Sequence, residues 1–521
     1  MPESTESDRM VGRSMGRMAW LASIVWCGLL LAGCAAKPMG QLPSAPERPV
    51  ACMEFFKQLD AAVERAEVED ASTFEVSGFP YLRSDRFLAA VADDLEGSAE
   101  RRFWLELMMA KGLSSRKKEI KCLPAKERRR LAESIGVEAS TQALVKEAER
   151  CSEALMAADV RSNELYSILE TSVTAPPEYS LALRTAGLYP LASLPVAWLT
   201  ARAHDRMRDW QKREIQDFAV SGRLIRWMPE TGSSLQPGRL ARLLDAASHN
   251  PLDLPQLDPK QALRVAERFA PVLIQDVAGE YDRLGRVCWQ DDRLVVDGSE
   301  PTLYYYLSFG FLQDRPVLQV NYTGWYPARR GSESPWIERG RLDGLTVRVS
   351  LDQSGEPFMV DIMNNCGCYH FFVPDRRRVV RIRPRPLAID AFVPTWLPET
   401  FPQRPLTLRM NSGWHQVQKV TATDEPPGKA RAYRLRPYQE LERLRGPART
   451  ESMFDPRGIA KGSERIEPLL LFSMGIPEVG AMRQRNHHPL KLVGRAHFAD
   501  PRLFERSFEF REEGRAAHLV P

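Results

Sequence analysis

The chain has 521 residues, with 72 Lys and Arg against 68 Asp and Glu, for a formal net charge of +4. For this length the charge is nearly balanced, which argues against a dedicated nucleic-acid binder, a class that is usually strongly basic. A hydrophobic content of 43% suits a globular protein, 39 prolines imply many loops, and the length suggests more than one core.

The N-terminus reads as a targeting segment. Arg9, Arg13 and Arg17 precede an uncharged run over residues 18–33, MAWLASIVWCGLLLAG. The run is shorter than the roughly 20 apolar residues a spanning helix needs. It closes on Leu31-Ala32-Gly33-Cys34. That motif resembles the lipobox of bacterial lipoproteins. The resemblance implies a diacylglycerol on the Cys34 thiol, cleavage before it, and acylation of the new amino group, with palmitate as the label to follow. Ala35 rather than an aspartate follows the cysteine, which by the same resemblance implies sorting to the outer membrane. The expected address is the cell envelope, lipid-anchored, facing the periplasm or the cell surface. Residues 1–33 are then a signal peptide. Residues 34–50, with four prolines, form an extended tether.

From 51 to 175 the pattern is helical. Phe55, Phe56, Leu59, Ala62 and Val63 recur at three and four residues and form one apolar stripe. Ser84-Asp85, Ser98 and Ser140 each precede a helix-like run, as starts do. Residues 176–260 read as a helical connecting region. Within it, 185–201 (TAGLYPLASLPVAWLTA) carries no charge and is interrupted by Pro190 and Pro195. It is expected as a buried helix between domains, with contact to a bilayer surface as the alternative. Residues 202–216 continue as an exposed helix.

After about 260 the period changes to two. Leu345, Val347, Val349 and Leu351 alternate with Thr346, Arg348 and Ser350, predicting a strand with one buried face. Asp352-Gln353-Ser354-Gly355 supplies a turn, and Phe358, Val360 and Ile362 resume the alternation as a hairpin partner. Residues 303–307, 317–322, 379–382 and 406–410 also read as strands. The expected fold class is α+β: an N-terminal helical bundle domain, then a β-rich, mainly antiparallel domain over 261–521.

No phosphate-binding loop, serine-nucleophile elbow or His-Glu-x-x-His zinc helix is present in the sequence. Beyond Cys27 and Cys34 the cysteines are Cys52, Cys122, Cys151, Cys288, Cys366 and Cys368. Outside the cytoplasm disulfides are permitted, and the sequence does not select a pairing. The densest polar feature is Asn364-Asn365-Cys366-Gly367-Cys368-Tyr369-His370. Thiolates and imidazole are zinc and copper ligands, but side chains two apart on a strand are separated unless Gly367 permits a turn. One reading is a structural disulfide, for example to Cys288, with His370 packed beside it; the other is metal or redox chemistry. Arg483, Arg485, His487, His488, Arg495 and His497 fall close together near the C-terminus. They read as a polar loop before a helix near Asp500, or as groups that complete a site. The candidate ligand or metal cluster is therefore Cys366, Cys368, His370, His488 and His497. A candidate binding surface is formed by Tyr322, Trp325, Tyr326 and Arg329, since aromatics beside arginine suit polar ligands. Arg376, Arg377, Arg378, Arg381, Arg383 and Arg385 form a basic run that reads either as a solvated strand face or as a phosphate contact.

The order Asn321-Tyr322-x-x-Trp325-Tyr326-Pro327, Leu342-Asp343-Gly344 with Arg348-Val349, and Cys366-Gly367-Cys368-Tyr369-His370 resembles a family of proteobacterial proteins of unknown activity. Gly494-Arg495-Ala496-His497-Phe498 fits the same resemblance, which covers 271–504 and implies no mechanism. The functional expectation is a lipid-anchored envelope protein, not an enzyme, whose β-rich domain binds a polar ligand or an envelope partner. The alternative is a metal-dependent or thiol hydrolase using Cys366, Cys368 and His370 with His488 or His497. Membrane is the expected partner through the lipid, nucleic acid is not, and no cofactor is assigned.

Overall fold

The computed structural model describes residues 48–511 apart from 233, 234, 447 and 448. The expected signal peptide, most of the tether and the lipidation site Cys34 lie outside the described residues. From Arg48 onward the chain forms one compact unit.

Helices come first. They are α1 (Val50–Ala66), α2 (Arg86–Val91), α3 (Ser98–Cys122), α4 (Ala125–Ile135), α5 (Thr141–Asp159), α6 (Asn163–Ser172), α7 (Leu181–Ala186) and α8 (Tyr189–Lys212). The stripe Phe55, Phe56, Leu59, Ala62 and Val63 is the buried face of α1. Asp85 and Ser140 cap α2 and α5, accepting from the Leu88 and Ala143 amides. A disulfide between Cys52 and Cys151 joins α1 to α5; Cys122, Cys288, Cys366 and Cys368 are free. The anticipated pairing of Cys288 with the Cys366–Cys368 pair is not made.

The C-terminal part holds a large, mostly antiparallel sheet. Its strands are β1 (Arg223–Pro229), β2 (Val272–Val277), β3 (Thr302–Leu312), β4 (Arg315–Arg329), β5 (Gly340–Leu351), β6 (Pro357–Asn364), β7 (Phe371–Pro374), β8 (Leu406–Met410), β9 (Val417–Ala422) and β10 (Lys429–Pro437). Their order is β7-β6-β5-β4-β3-β10-β1-β2-β8-β9. Three neighbour pairs are parallel, β3 with β10, β10 with β1, and β2 with β8; the other six are antiparallel. The β5–β6 hairpin forms as the alternation predicts, with Ile362 opposite Val347. The interval 176–260, expected to be a helical connection, contributes strand β1 to the middle of this sheet, besides α9 (Pro237–Ala247).

Both faces of the sheet are covered. On β4, Leu318, Val320, Tyr322 and Tyr326 point to a core shared with Val265, Ala266 and Phe269 of α10 (Pro259–Phe269), while Trp325 points to a second core with Tyr304, Tyr438 and Phe454. The polar side of β5 is buried too: Thr346, Arg348 and Ser350 are all at most 2% exposed. The one-faced strand read from the alternation is therefore corrected, because a buried polar face also alternates with an apolar one. Two short helices complete the elements used below, α11 (Pro468–Leu471) and α12 (Leu503–Ser507).

Helices and sheet meet through buried charge. The Lys118 ammonium on α3 donates to Glu442 at 2.8 Å, and Glu442 also accepts from Arg485 at 2.7 and 2.9 Å. α8 packs on β9 only through its C-terminal part, where Met207 and Gln211 are buried and Gln211 Oε1 accepts from the Val420 amide. Its N-terminal part is exposed: Leu191, Leu194 and Trp198 retain 67%, 65% and 56% of their accessible surface. The expectation of a buried helix over 185–201 is corrected here, because among the described residues no element packs over that face of α8.

Candidate functional site

Residues 365–370 turn the chain from β6 into β7. Gly367 donates its amide to the Asn364 carbonyl, and the Asn364 amide returns to the Cys368 carbonyl. Gly367 has φ +89°, and a Cβ there would sit 2.2 Å from the Pro489 carbonyl oxygen, so only glycine fits both the turn and the approach of that loop. The turn brings the sulfurs together: the Cys368 amide lies 3.4 Å from Cys366 Sγ and the Cys368 thiol donates to the same sulfur. That bond, opposed by burial and aided by Arg329, lowers the Cys366 thiol pKa; the same bond and burial raise Cys368.

Asn364 and Asn365 hold this turn from beneath. Asn365 Nδ2 donates to the Gly324 carbonyl, its Oδ1 accepts from Thr346, and Asn364 Oδ1 accepts from Gln416. His370 Nε2 is 2.8 Å from Asp361 Oδ2, and Asp361 is held by a two-pronged Arg348 contact at 2.8 and 2.7 Å. Burial lowers the His370 pKa despite Asp361.

Cys366, Cys368 and His370 line one cavity of about 270 Å³. Its opposite wall is α8, with Val196, Leu199, Ala203 and Met207; Phe372, Phe392, Leu471 and Ile476 add further apolar surface. Titratable groups border it as well, among them His204, Glu338, Asp390, Glu467 and Lys491. Burial, with the Cys366 and Glu338 charges, pushes Glu467 up to about 9. Glu467 Oε2 is buried with no hydrogen-bond partner among the described residues. Burial and then Arg208 push His204, stacked on Phe392 at 3.8 Å, down to about 4. Burial brings Lys491 down to about 8, and its ammonium donates to the Ile389 carbonyl.

His488 and His497 do not line this cavity. The His370 and His488 rings lie on Phe498 at 6.1 and 6.2 Å between centroids. His488 is buried with both ring nitrogens unpartnered among the described residues, and burial pushes it down to about 3. His497 Nδ1 accepts from the Ala499 amide. His487 is committed elsewhere, to Glu178 and the Ala71 carbonyl. Among the described residues no three His, Cys, Asp or Glu side chains converge as a metal site requires. The candidate cluster thus divides into a cavity trio and two separate buried histidines.

The candidate binding surface is corrected. Tyr322, Trp325, Tyr326 and Arg329 are 0–2% exposed. Tyr322 donates to the Ala266 carbonyl at 2.6 Å, and Tyr326 stacks on His415 at 4.2 Å. Arg329 grips Asp343 at 3.0 and 2.8 Å and Glu338 at 2.7 Å. The basic run after Arg376 is divided among acidic partners: Arg377 with Asp375, Arg378 with Asp352, Arg381 with Glu509.

What sequence reading missed is the centre of that network. His415, 0% exposed, bridges Asp343 at 2.7 Å and Asp282 at 3.0 Å. Asp282 also accepts from Ser412 and the Gly413 amide, and Glu338 from Trp414 and Tyr369. Burial opposes the charge on His415, but the two aspartates raise its pKa overall. Glu338 carries this network to the cavity wall. The available signal was Asn411-Ser412-Gly413-Trp414-His415-Gln416, a polar hexamer between two apolar strands.

The chain matches no family model, no curated protein and no solved structure.

Proposed function

We propose that this protein is a lipid-anchored envelope protein, without enzymatic activity, that holds a mainly apolar ligand with a small uncharged end in the cavity between α8 and the Cys366–His370 turn. The observation that carries this reading is the cavity itself: apolar walls with a few convergent polar groups are the ordinary form of a small-molecule site. Among the carboxyls on its wall, burial pushes Glu467 up to about 9, so that this one offers a donor rather than a charge at neutral pH. The ligand class departs from the polar ligand that the aromatic strand suggested, because that strand lies inside the core. In this reading Cys34 carries the lipid, outer-membrane sorting follows from Ala35, and α1, α3, α4 and α5 act as a supporting helical bundle. The family resemblance over 271–504 adds no activity.

The test is native mass spectrometry of the full chain incubated with 1-decanol or with decanoate. The wild type should retain one decanol and less decanoate, and Ala203→Trp, which fills the cavity from α8, should retain neither. Absence of a decanol adduct on the wild type, or equal retention by Ala203→Trp, would overturn the cavity reading. The anchor is tested separately: Cys34→Ser should abolish labelled palmitate incorporation, and equal labelling would overturn it.

A further inference from the structure

The N-terminal half of α8 presents an exposed apolar face, away from the cavity, over which nothing packs among the described residues. Leu191, Leu194 and Trp198 are three and four residues apart, so they share one side of the helix. Leu469 and Leu470 of α11 are also exposed, and α8 and α11 border the same cavity. Exposed apolar surface of this extent, gathered on adjacent elements, marks an interaction site more often than it marks chance.

Charge says what covers it. From Leu181 to Ala201 there is no aspartate or glutamate. The first charged residue beyond is Arg202, whose guanidinium lies 4.0 Å over the Trp198 ring. Arg206 follows one turn later, and neither arginine has a carboxylate partner among the described residues. The carboxylates further along α8 are already paired, Asp205 with Arg208 and Asp209 with Lys212. Arg206 lies 5.7 Å over the Trp414 ring; leucine and tryptophan on one side with arginines unpaired with carboxylates at the border is the composition of a helix lying in a bilayer interface. No helix among the described residues is long and apolar enough to cross a membrane.

We infer that this face docks the protein flat on an anionic phospholipid bilayer, with Leu191, Leu194 and Trp198 in the headgroup–acyl boundary and Arg202 and Arg206 on lipid phosphates. The inference rests on the lipid-anchor reading of Cys34 for how the protein reaches the membrane. The chain from Cys34 to Arg48 reaches at most about 50 Å when extended, which leaves the folded part free to lie against the surface.

The experiment separates the face from the anchor. The full chain, with a specific protease site inserted in the tether between residues 40 and 47, is reconstituted into vesicles of dioleoylphosphatidylcholine with or without dioleoylphosphatidylglycerol. The tether is then cut and the released and retained bodies are measured by sedimentation. The wild-type body should stay with the anionic vesicles and be released by salt. Leu191→Glu/Leu194→Glu/Trp198→Glu should weaken retention at least about tenfold, and Arg202→Gln/Arg206→Gln should remove the preference for anionic lipid, since basic side chains near such a surface are what its negative potential attracts. Complete release of the wild-type body, equal retention of the triple variant, or a concentration-dependent dimer that the triple variant abolishes would overturn the inference. The mass of the cut N-terminal fragment reports independently whether Cys34 is lipidated, so failure of the anchor and failure of the face are read apart.

Discussion

Strand β4 and the first half of α8 carry comparable apolar and aromatic side chains and end in opposite surroundings. On β4, Tyr322, Trp325 and Tyr326 lose all their accessible surface, and even Arg329 keeps only 2%. On α8, Leu191, Leu194 and Trp198 keep more than half of theirs. The segment with charged and amide members is the core and the uncharged one is the surface. Neighbours decide this, not composition. β4 is paired along most of its length with β3 on one side and β5 on the other, and each of its faces meets a separate core. α8 is buried only at its far end, at Met207 and Gln211; its first half meets the fold along one side, where Val196 and Leu199 line the cavity and Tyr189 accepts from the Gly494 amide.

The largest effects should come from the buried member of the pair. Arg329→Ala leaves Asp343 and Glu338 without their cation in a dry site, and breaking a buried ion pair on one side costs about 3–5 kcal/mol. Tyr326→Ala should cost about as much, roughly 3–5 kcal/mol, through a cavity beside His415 and Met410. Urea denaturation is the measurement. A loss below about 1 kcal/mol for both, within the range of ordinary single substitutions, would place these side chains at a deformable surface and break the comparison.

The contrast explains what was legible in the sequence. Local periodicity reports which residues share a face, so the stripe of α1, the β5–β6 hairpin and the strands at 379–382 and 406–410 follow from it. It does not report how many faces are covered, which is why Thr346, Arg348 and Ser350 read as solvent-facing. Nor does it report pairing at a distance. β10 sits between β3 and β1 through parallel contacts that no turn specifies. Cys52 meets Cys151 across a separation of 99 residues. His415 finds its two aspartates 133 and 72 residues away, and each of these residues alone is unremarkable in composition. Of the candidate cluster, Cys366, Cys368 and His370 were legible because one short turn holds them, while His488 and His497 depended on where another loop crosses.

Titration sharpens the same comparison at intermediate size. Asp343 and Asp361 are penalised by burial, but Arg329 holds Asp343 well below the usual carboxylate range and Arg348 lowers Asp361. Their contribution to stability is present above the unfolded carboxylate pKa of about 4 and is lost as pH falls through the lowered folded values. His415 has the opposite sign. Its folded pKa is raised, so its contribution is complete below about 6.5 and is lost as pH rises through the raised value. Stability should therefore decline on both sides of a maximum, and His415→Asn should flatten the alkaline arm. Retention of the full alkaline slope in His415→Asn would assign that arm to other groups.

Glu467 should add a slope of its own on the cavity wall. Its proton is kept in the folded state up to about 9 but leaves the unfolded chain near 4.5. The native state thus binds more protons across that window, and stability falls as pH rises through it. Glu467→Gln keeps the shape and removes the titration, so its stability relative to wild type should improve steadily from pH 5 to pH 8. A constant difference across that range would mean that Glu467 is ionised in the native cavity.

The smallest effect is expected where composition alone would predict a large one. Trp198 is the biggest apolar side chain of the 185–201 run, and in a core its truncation would cost about 3–5 kcal/mol. Here it already meets water over 56% of its surface. Its ring lies under the Arg202 guanidinium, and an exposed cation–π pair contributes about 0.5–1 kcal/mol at most. Alanine is also the better helix former by a few tenths of a kcal/mol, which offsets part of that loss. Trp198→Ala should therefore change the unfolding free energy of the protein in solution by no more than about 0.5 kcal/mol, and its urea midpoint should overlay that of the wild type. A loss above about 2 kcal/mol, the size of a core truncation, would show α8 buried in solution. The exposed half of the comparison would then fail.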